Sequence, residues 1–515
     1  MTKQYLLGVD IGTTGSKGVI TNLRGKVLAY RFVEHGVATP KPGWCEQDAD
    51  AVWWGDLALI TRDLVASSGV DPSTIAAVGI SAHCPDMLPL DAEGRPLRAG
   101  MLYSDNRASQ EIRDITTLLG AERIAAVSGR PLTPDSVGAK IVWLREHEPR
   151  LFERTRWIHS ACGYLVFRLT GEHVLDYATA SPRFSPMYNV HTMAWDSAIC
   201  AEVGIDPQLL PRLQWGTEIA GELTAQAARE TGLAEGTPVI TGACDALAEA
   251  VGSSAVGDGE ASLLYGTTMV MFAMCKATTA GNKALLGPAA MPGVSRVVIG
   301  MSASGALTRW FRDNLGQVER EAEAKLGIDA YQLLSEGATG VPAGSEGLVV
   351  LPYFAGERSP IYDAQARGLI LGLTLSHTRC HIYRALLEGT AYGLRHGLEG
   401  LLEAGIELRR IVATGGGTRG KLWPQIVSDV IGYDQEIVAS PYGAPLGDAF
   451  LAGFGAGIFS DLSPLQQDWV QTTSVMKANP RAKALYDRYY RVYHGLYETL
   501  RSDMHELVNL SCVMV

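Results

Sequence analysis

Leu6-Leu7-Gly8-Val9-Asp10-Ile11-Gly12-Thr13-Thr14-Gly15-Ser16-Lys17-Gly18-Val19-Ile20 reads as an apolar strand, a turn of glycines and hydroxyls, and a second apolar strand with room to run beyond Ile20. A hairpin of this composition can aim successive backbone N–H groups and the hydroxyls of Thr13 and Thr14 at one small anion. Asp10 lies at the end of the first strand, where its carboxylate can face a phosphate-bound metal ion. The same letters also suit an ordinary β-hairpin with a glycine turn, so the rest of the chain has to decide.

At 515 residues the chain is too long for one ordinary core, and two large domains are expected. A hydrophobic fraction of 47% with 19% charged residues is that of a globular protein. The net charge of −11 argues against a surface built for nucleic acid or anionic lipid. Any polyphosphate must then be held by local backbone donors and a metal. No apolar run reaches membrane-spanning length and no signal peptide precedes the hairpin, so a cytoplasmic protein is expected. The 8 cysteines contain no Cys-x-x-Cys pair, which points to reduced thiols and not to zinc or disulfides.

The pattern along the chain is mixed α/β. Residues 26–30 read as a third strand, and a helix is expected from Asp48 to about Ser67, with Trp53, Leu57, Ile60 and Leu64 on one face. Residues 75–81 and 237–243 read as buried strands. Glu260-Ala261-Ser262-Leu263-Leu264-Tyr265-Gly266-Thr267-Thr268-Met269-Val270 then repeats the strand–Gly-Thr-Thr–strand idea. Two such hairpins suggest duplicated domains, divided as 1–245 and 246–515, without a long linker.

Phosphoryl transfer to an alcohol needs a carboxylate near the hydroxyl and a metal on the phosphates. Asp245, in Gly242-Ala243-Cys244-Asp245-Ala246, is the candidate base; it also suits the N-cap of a helix over 246–251. Cys244 reads as small buried filler. Gly266-Thr267-Thr268 suits a second phosphate grip, and Gly415-Gly416-Gly417 with Lys421 opens a turn that a ring or phosphate can approach closely. Gly415-x-Gly417-x-x-Gly420 matches the dinucleotide fingerprint, but Asp434 precedes the next strand when it should follow it, and no P-loop run exists. Asp105 and Arg107, in Tyr103-Ser104-Asp105-Asn106-Arg107, share a face on a strand or pair with each other on a turn. His83 is either a sugar contact or a structural histidine.

In this combination and order the motifs resemble the FGGY family of carbohydrate kinases, and within it the xylulokinase-type branch. The resemblance takes in the Asp10–Lys17 hairpin, Gly43-Trp44-Cys45-Glu46-Gln47-Asp48 with Trp53-Trp54, and the Tyr103–Arg107 run. It continues through Lys140–Leu144, Gly242–Asp245, Gly356-Glu357-Arg358-Ser359-Pro360, Arg367–Leu373, Ala385–Gly389 and Gly415-Gly416-Gly417. It implies two actin-like, ribonuclease H-like ATPase domains flanking a catalytic cleft, which a bound sugar would close. By similarity Asp245 is the general base and Asp10 supports Mg²⁺. Gly12, Thr13, Thr14 and Thr267 would contact ATP phosphates, with Lys17, Gly266 and Thr268 in the same cofactor-binding set. Gly305, Gly416, Gly417 and Lys421 would lie near the nucleotide. Asp105 falls where relatives hold the sugar, and His83, Cys84, Tyr103 and Asp245 complete the expected substrate set. The sugar side departs from the xylulokinase pattern. Ser81-Ala82-His83-Cys84-Pro85-Asp86 replaces Ser-Gly-Gln-Met-His-Gly, and Tyr103 replaces a tryptophan.

The expected activity is therefore ATP-dependent phosphorylation of a terminal hydroxyl on a small sugar, a ketopentose such as D-xylulose first. Another ketose, a polyol or an aldonate is the alternative, and a non-catalytic actin-like nucleotide sensor the competing class. The expected partner is a small-molecule sugar, without nucleic acid or membrane, and a homodimer stays open.

Overall fold

Tyr5–Ile11 and Gly15–Asn22 pair antiparallel with Asp10 opposite Lys17, as the opening hairpin requires. The computed structural model describes residues 3–276, 285–438 and 442–513. Val27–Glu34 adds the third strand on the far side of the hairpin. Ile75–Ala82 runs parallel to the first strand, buried throughout. Pro238–Ile240 lies parallel beyond it, and Ile219–Glu222 closes that edge antiparallel. The helix expected from Asp48 opens as a π-helical turn, Ala49–Trp54, before the α-helix Gly55–Ser68. Asp48 accepts from the N–H groups of Asp50 and Ala51, which fixes that entry. Trp53, Leu57, Ile60 and Leu64 are all fully buried, so the predicted face is the core face.

A second seven-stranded sheet repeats the arrangement. Glu260–Tyr265 and Met269–Cys275 form the antiparallel hairpin, and Arg410–Thr414 runs parallel to the first of them. Gln435–Val438 follows in parallel and Thr472–Met476 antiparallel. The same order of orientations in both sheets is what the two Gly-Thr-Thr hairpins predict.

The compact units are not one cut at residue 245. One comprises Met1–Gly257, Gly287–Arg296 and Ser440–Gln471; the other comprises Asp258–Leu286, Val297–Ala439 and Thr472–Val515. Helix Asp245–Gly252 stays in the first because it packs on helix Ala444–Gly455 at backbone contact: a Cβ on Gly447 would lie 2.0 Å from the Ala248 carbonyl oxygen. The same helix presses on the first sheet. Gly8 and Gly79 are register partners on the two central strands. A Cβ on Gly8 would lie 2.0 Å from Pro445 O, and one on Gly79 2.1 Å from Asp448 O.

Neither atom can yield without moving the helix, so Gly79→Ala is expected to lower unfolding stability by about 1–3 kcal/mol or more. Gly495→Ala, exposed in the long helix Pro480–Val513 with nothing within 4 Å of its Cβ, is expected to raise it by roughly 0.5–1 kcal/mol. Urea midpoints at constant m-value measure both.

Candidate active site

The strand ends of the first unit place Asp10, Ser81 and Cys244 side by side, since Asp10 pairs with Ser81 and Ala82 with Cys244 in parallel register. Helix Asp245–Gly252 starts at once, with Cys244 in the capping position and Asp245 as its first residue. Asp245 thus is not the cap; its Oδ1 accepts from the Ala246 N–H at 2.7 Å. Helix Ala444–Gly455 brings a further acid, Asp448. Ser81 Oγ lies 2.9 Å from Asp10 Oδ1 and 2.7 Å from Asp448 Oδ2. One hydroxyl proton cannot serve two ionised carboxylates, so one of the acids must bring a proton of its own. Asp448 is that acid: it is fully buried, and its other oxygen has no hydrogen-bond partner. Burial and the Asp10 charge hold its pKa well above the usual carboxylate range.

Lys17 Nζ sits 3.6 Å from Asp10 Oδ2 and 3.8 Å from Glu249 Oε2. Burial raises the Asp10 pKa despite Lys17, and burial likewise raises that of Glu249. Asp245 is pushed up to about 8, by burial first and by the Asp10 charge next. These are like charges sharing one low-dielectric neighbourhood.

His83 is buried behind this group. Its Nδ1 lies 2.9 Å from Asp86 Oδ2 and its Nε2 2.9 Å from Gln47 Oε1. Gln47 donates its amide N–H groups to Thr13 O and Gly36 O, so its oxygen must accept and His83 Nε2 must carry a proton. Burial opposes the charged ring, yet Asp86 raises the pKa above its ordinary value. A continuous path of hydrogen bonds therefore runs from the phosphate-type turn to His83. Within the turn, Gly12 N–H donates to Gly15 O at 3.1 Å, and His35 Nε2 donates to Gly12 O at 2.9 Å. Thr14 is exposed, and the Tyr103 hydroxyl lies 3.4 Å from Thr13 Oγ1.

Asp105 takes the turn alternative. It is fully buried, Arg107 contacts both its oxygens, with the closest approach 2.6 Å, and the Cys45 N–H donates to Oδ2 at 2.6 Å. All of its acceptor capacity faces inward, so its carboxylate orders the turn that presents Tyr103. Cys84 is half-buried beside Cys244.

In the second unit the glycine turns gather at the C-terminal ends of the parallel strands Glu260–Tyr265 and Arg410–Thr414, where open α/β sheets bind ligands. Gly266 N–H donates to Thr268 O at 3.1 Å, and Ala306 N–H to Thr267 O at 2.9 Å. A Cβ on Gly305 would meet Gly266 O at 2.3 Å, and one on Gly415 would meet Tyr265 O at 2.6 Å. Gly416 has nothing within 4 Å of a built Cβ, and Thr267 and Lys421 are exposed. Asp434 accepts from the Ala478 N–H and precedes the strand Gln435–Val438, which removes the dinucleotide reading.

Sequence reading missed Ser81, Glu249 and Asp448 as members of the acidic group. Asp448 alone left a signal: an acid inside Ala444–Gly455, a helix otherwise made of small and apolar residues. Glu357 was quoted only as part of a motif. Its Oε1 accepts from Ser302 N–H at 2.6 Å and Arg358 N–H at 2.7 Å, which holds the loop leading to Gly305, and burial pushes its carboxyl up to about 7.

Residues 5–252 match the N-terminal domain of the FGGY family of carbohydrate kinases, and residues 261–456 its C-terminal domain. A xylulose kinase of Bacillus subtilis (strain 168) is 26% identical over 497 residues, covering 95% of this chain and 97% of that protein. A gluconokinase of Bacillus licheniformis is 27% identical over 507 residues, covering 98% of each. The crystal structure of xylulose kinase from Rhodospirillum rubrum is similar at a TM-score of 0.90 and 29% identity, covering 98% of this chain and 100% of that one.

Raised carboxyl pKa values mean that the folded chain binds more protons than the unfolded one, so stability falls as pH rises from 3.8 towards about 8, the Asp245 value. The melting temperature of the ligand-free protein is expected to drop between about pH 5 and about pH 8. Asp448→Asn keeps a donor to Ser81 without a titrating proton and should flatten part of that drop. A profile that the substitution leaves unchanged would place the shared proton elsewhere.

Proposed function

The chain belongs to the FGGY family of carbohydrate kinases, sugar phosphotransferases with an actin-like ATPase fold, and from that premise we propose which hydroxyl chemistry its site performs. The proposed reaction is transfer of the γ-phosphoryl group of ATP to a terminal hydroxyl of a small sugar, with a ketopentose such as D-xylulose first. What carries it is the position of Asp245, first residue of its helix at the strand ends that bear Asp10 and Ser81, where burial and the Asp10 charge raise its pKa to about 8. A base of that strength takes up an alcohol proton well near neutral pH.

In this reading Asp245 accepts the hydroxyl proton as the phosphoryl group leaves ATP in line. Lys17 and the turn Gly12–Thr14 orient phosphate oxygens through N–H and hydroxyl donors. Gly266–Thr268, Gly305, Gly416, Gly417 and Lys421 hold the nucleotide. In this reading the N-terminal half, to residue 245, carries the sugar side, the base and the phosphate turn, and the rest carries the remaining nucleotide contacts. The residues present suit Mg²⁺: Asp10 offers one oxygen whose contact is a lysine 3.6 Å away, and this ion usually takes one or two carboxylates plus phosphate and water. Bound there, Mg²⁺ would neutralise charge on the phosphates.

The relatives named xylulose kinase and gluconokinase match this chain about equally, which keeps an aldonate, polyol or other ketose as the second reading. Coupled ADP-release assays over a panel of ketoses, polyols and aldonates separate these. Asp245→Asn is expected to cut sugar-dependent ADP release by about 10²–10⁴-fold while sugar binding by calorimetry survives. Wild-type kcat/KM should rise tenfold per pH unit and level off near the Asp245 value of about 8. An Asn variant with wild-type turnover would overturn the assignment.

A further inference from the structure

Cys244 and Cys84 come from neighbouring strand ends. Cys244 is the register partner of Ala82, and Cys84 follows two residues later. Each thiol shifts the titration of the other more than any other side chain does, and the two stand apart in exposure, Cys84 half-buried and Cys244 buried. We propose that Cys84 and Cys244 form a reversible disulfide when the enzyme meets a hydroperoxide, and that this bond switches off the site next to Asp245.

The surroundings make Cys244 the attacking sulfur. It lies in the capping position of helix Asp245–Gly252, at an N-terminus where thiolates are favoured. The Arg296 guanidinium adds positive charge nearby; this side chain is buried and its N–H groups go to the carbonyls of Ala178, Ser181 and Pro288. The Cys84 thiol first, and the Arg296 charge, bring the Cys244 pKa down to about 7 against the effect of burial. Cys84 is held well above the ordinary thiol value and stays protonated, as a resolving thiol does.

The chemistry balances with the peroxide as the only oxidant. The Cys244 thiolate attacks one peroxide oxygen, the O–O bond breaks, and the departing hydroxide takes a proton to leave as water. Cys244 is then a sulfenic acid. The Cys84 sulfur attacks it, the S–S bond forms, the S–O bond breaks, and the second water leaves with the Cys84 proton. Two thiols have lost two hydrogens, and the peroxide has become two waters. A dithiol reductant reverses the bond. Closing it draws Cys244 off the helix terminus and ties the segment bearing His83 to the one bearing Asp245. Neither segment then keeps the geometry of the reduced site.

The test treats the full-length protein with hydrogen peroxide and maps its tryptic peptides. The expected result is the peptide spanning 63–98 joined to the one spanning 230–276, with fragmentation placing the bond on Cys244 and not Cys275. This readout holds whatever the substrate is. The activity arm rests on the kinase reading: sugar-dependent ADP release should fall at least tenfold on oxidation and return with dithiothreitol. Cys84→Ser should give no joined peptide and should leave Cys244 as a sulfenic acid, which dimedone traps. Absence of the joined peptide in the wild type, or no dimedone-trapped Cys244 in oxidised Cys84→Ser, would overturn the proposal.

Discussion

Helix Ala444–Gly455 reaches Ser81 because Gly8 and Gly79 have no side chains, and much of the first unit's chemistry depends on that approach. The two glycines face each other across adjacent parallel strands and leave a trough in the sheet. The helix fills it at backbone contact and lowers Asp448 onto the hydroxyl that already serves Asp10. Its other side meets Asp245–Gly252 through Gly447 and Gly252. One helix therefore sets the depth of Asp448 and braces the helix that carries Asp245 and Glu249.

Such crowding of acids costs stability and supplies reactivity. Carboxyls that share a dry neighbourhood cannot all ionise, so protons are retained well into the neutral range. A solvated aspartate would be ionised but too weak a base to draw a proton from an alcohol. An isolated buried one would stay neutral and inert. Here Lys17 lies between Asp10 and Glu249, so the charge is partly offset and Asp245 is poised near neutrality. In the proposed reaction, a divalent cation beside Asp10 would offset part of the charge that raises the Asp245 pKa.

What was legible in the sequence was local. The Asp10–Lys17 hairpin, its echo at Gly266–Thr268 and the buried face of Trp53, Leu57, Ile60 and Leu64 follow from period and turn chemistry, which act over a few residues. Asp105 and Arg107 admitted two outcomes because spacing alone cannot tell a strand from a turn; the Cys45 N–H and Glu46, which bind the pair, settle it. The Ser81–Asp448 hydrogen bond joins residues 367 apart, and no spacing rule spans that distance. Cys244 is buried, as its reading as filler expects. That it lies opposite Ala82 was not legible, because register across a sheet is a tertiary fact.

The sugar side carries the sequence departures, and the geometry says which of them can matter. His83 has both ring nitrogens engaged, one by Asp86 and one by Gln47, and Asp105 has both oxygens engaged. Neither has a free group with which to discriminate one hydroxyl arrangement from another. They act as struts: His83 ties the strand end to the Thr13 turn through Gln47, and Asp105 fixes the turn bearing Tyr103. Tyr103 is exposed and Cys84 half-buried. Discrimination needs a polar or steric feature that the ligand can feel, since a site rejects a wrong analogue mainly by leaving its own groups unpaired or clashing. Under the proposed reading, changes at Cys84 and Tyr103 would alter which sugar fits, and changes at His83 or Asp105 would loosen the frame and weaken all sugars together.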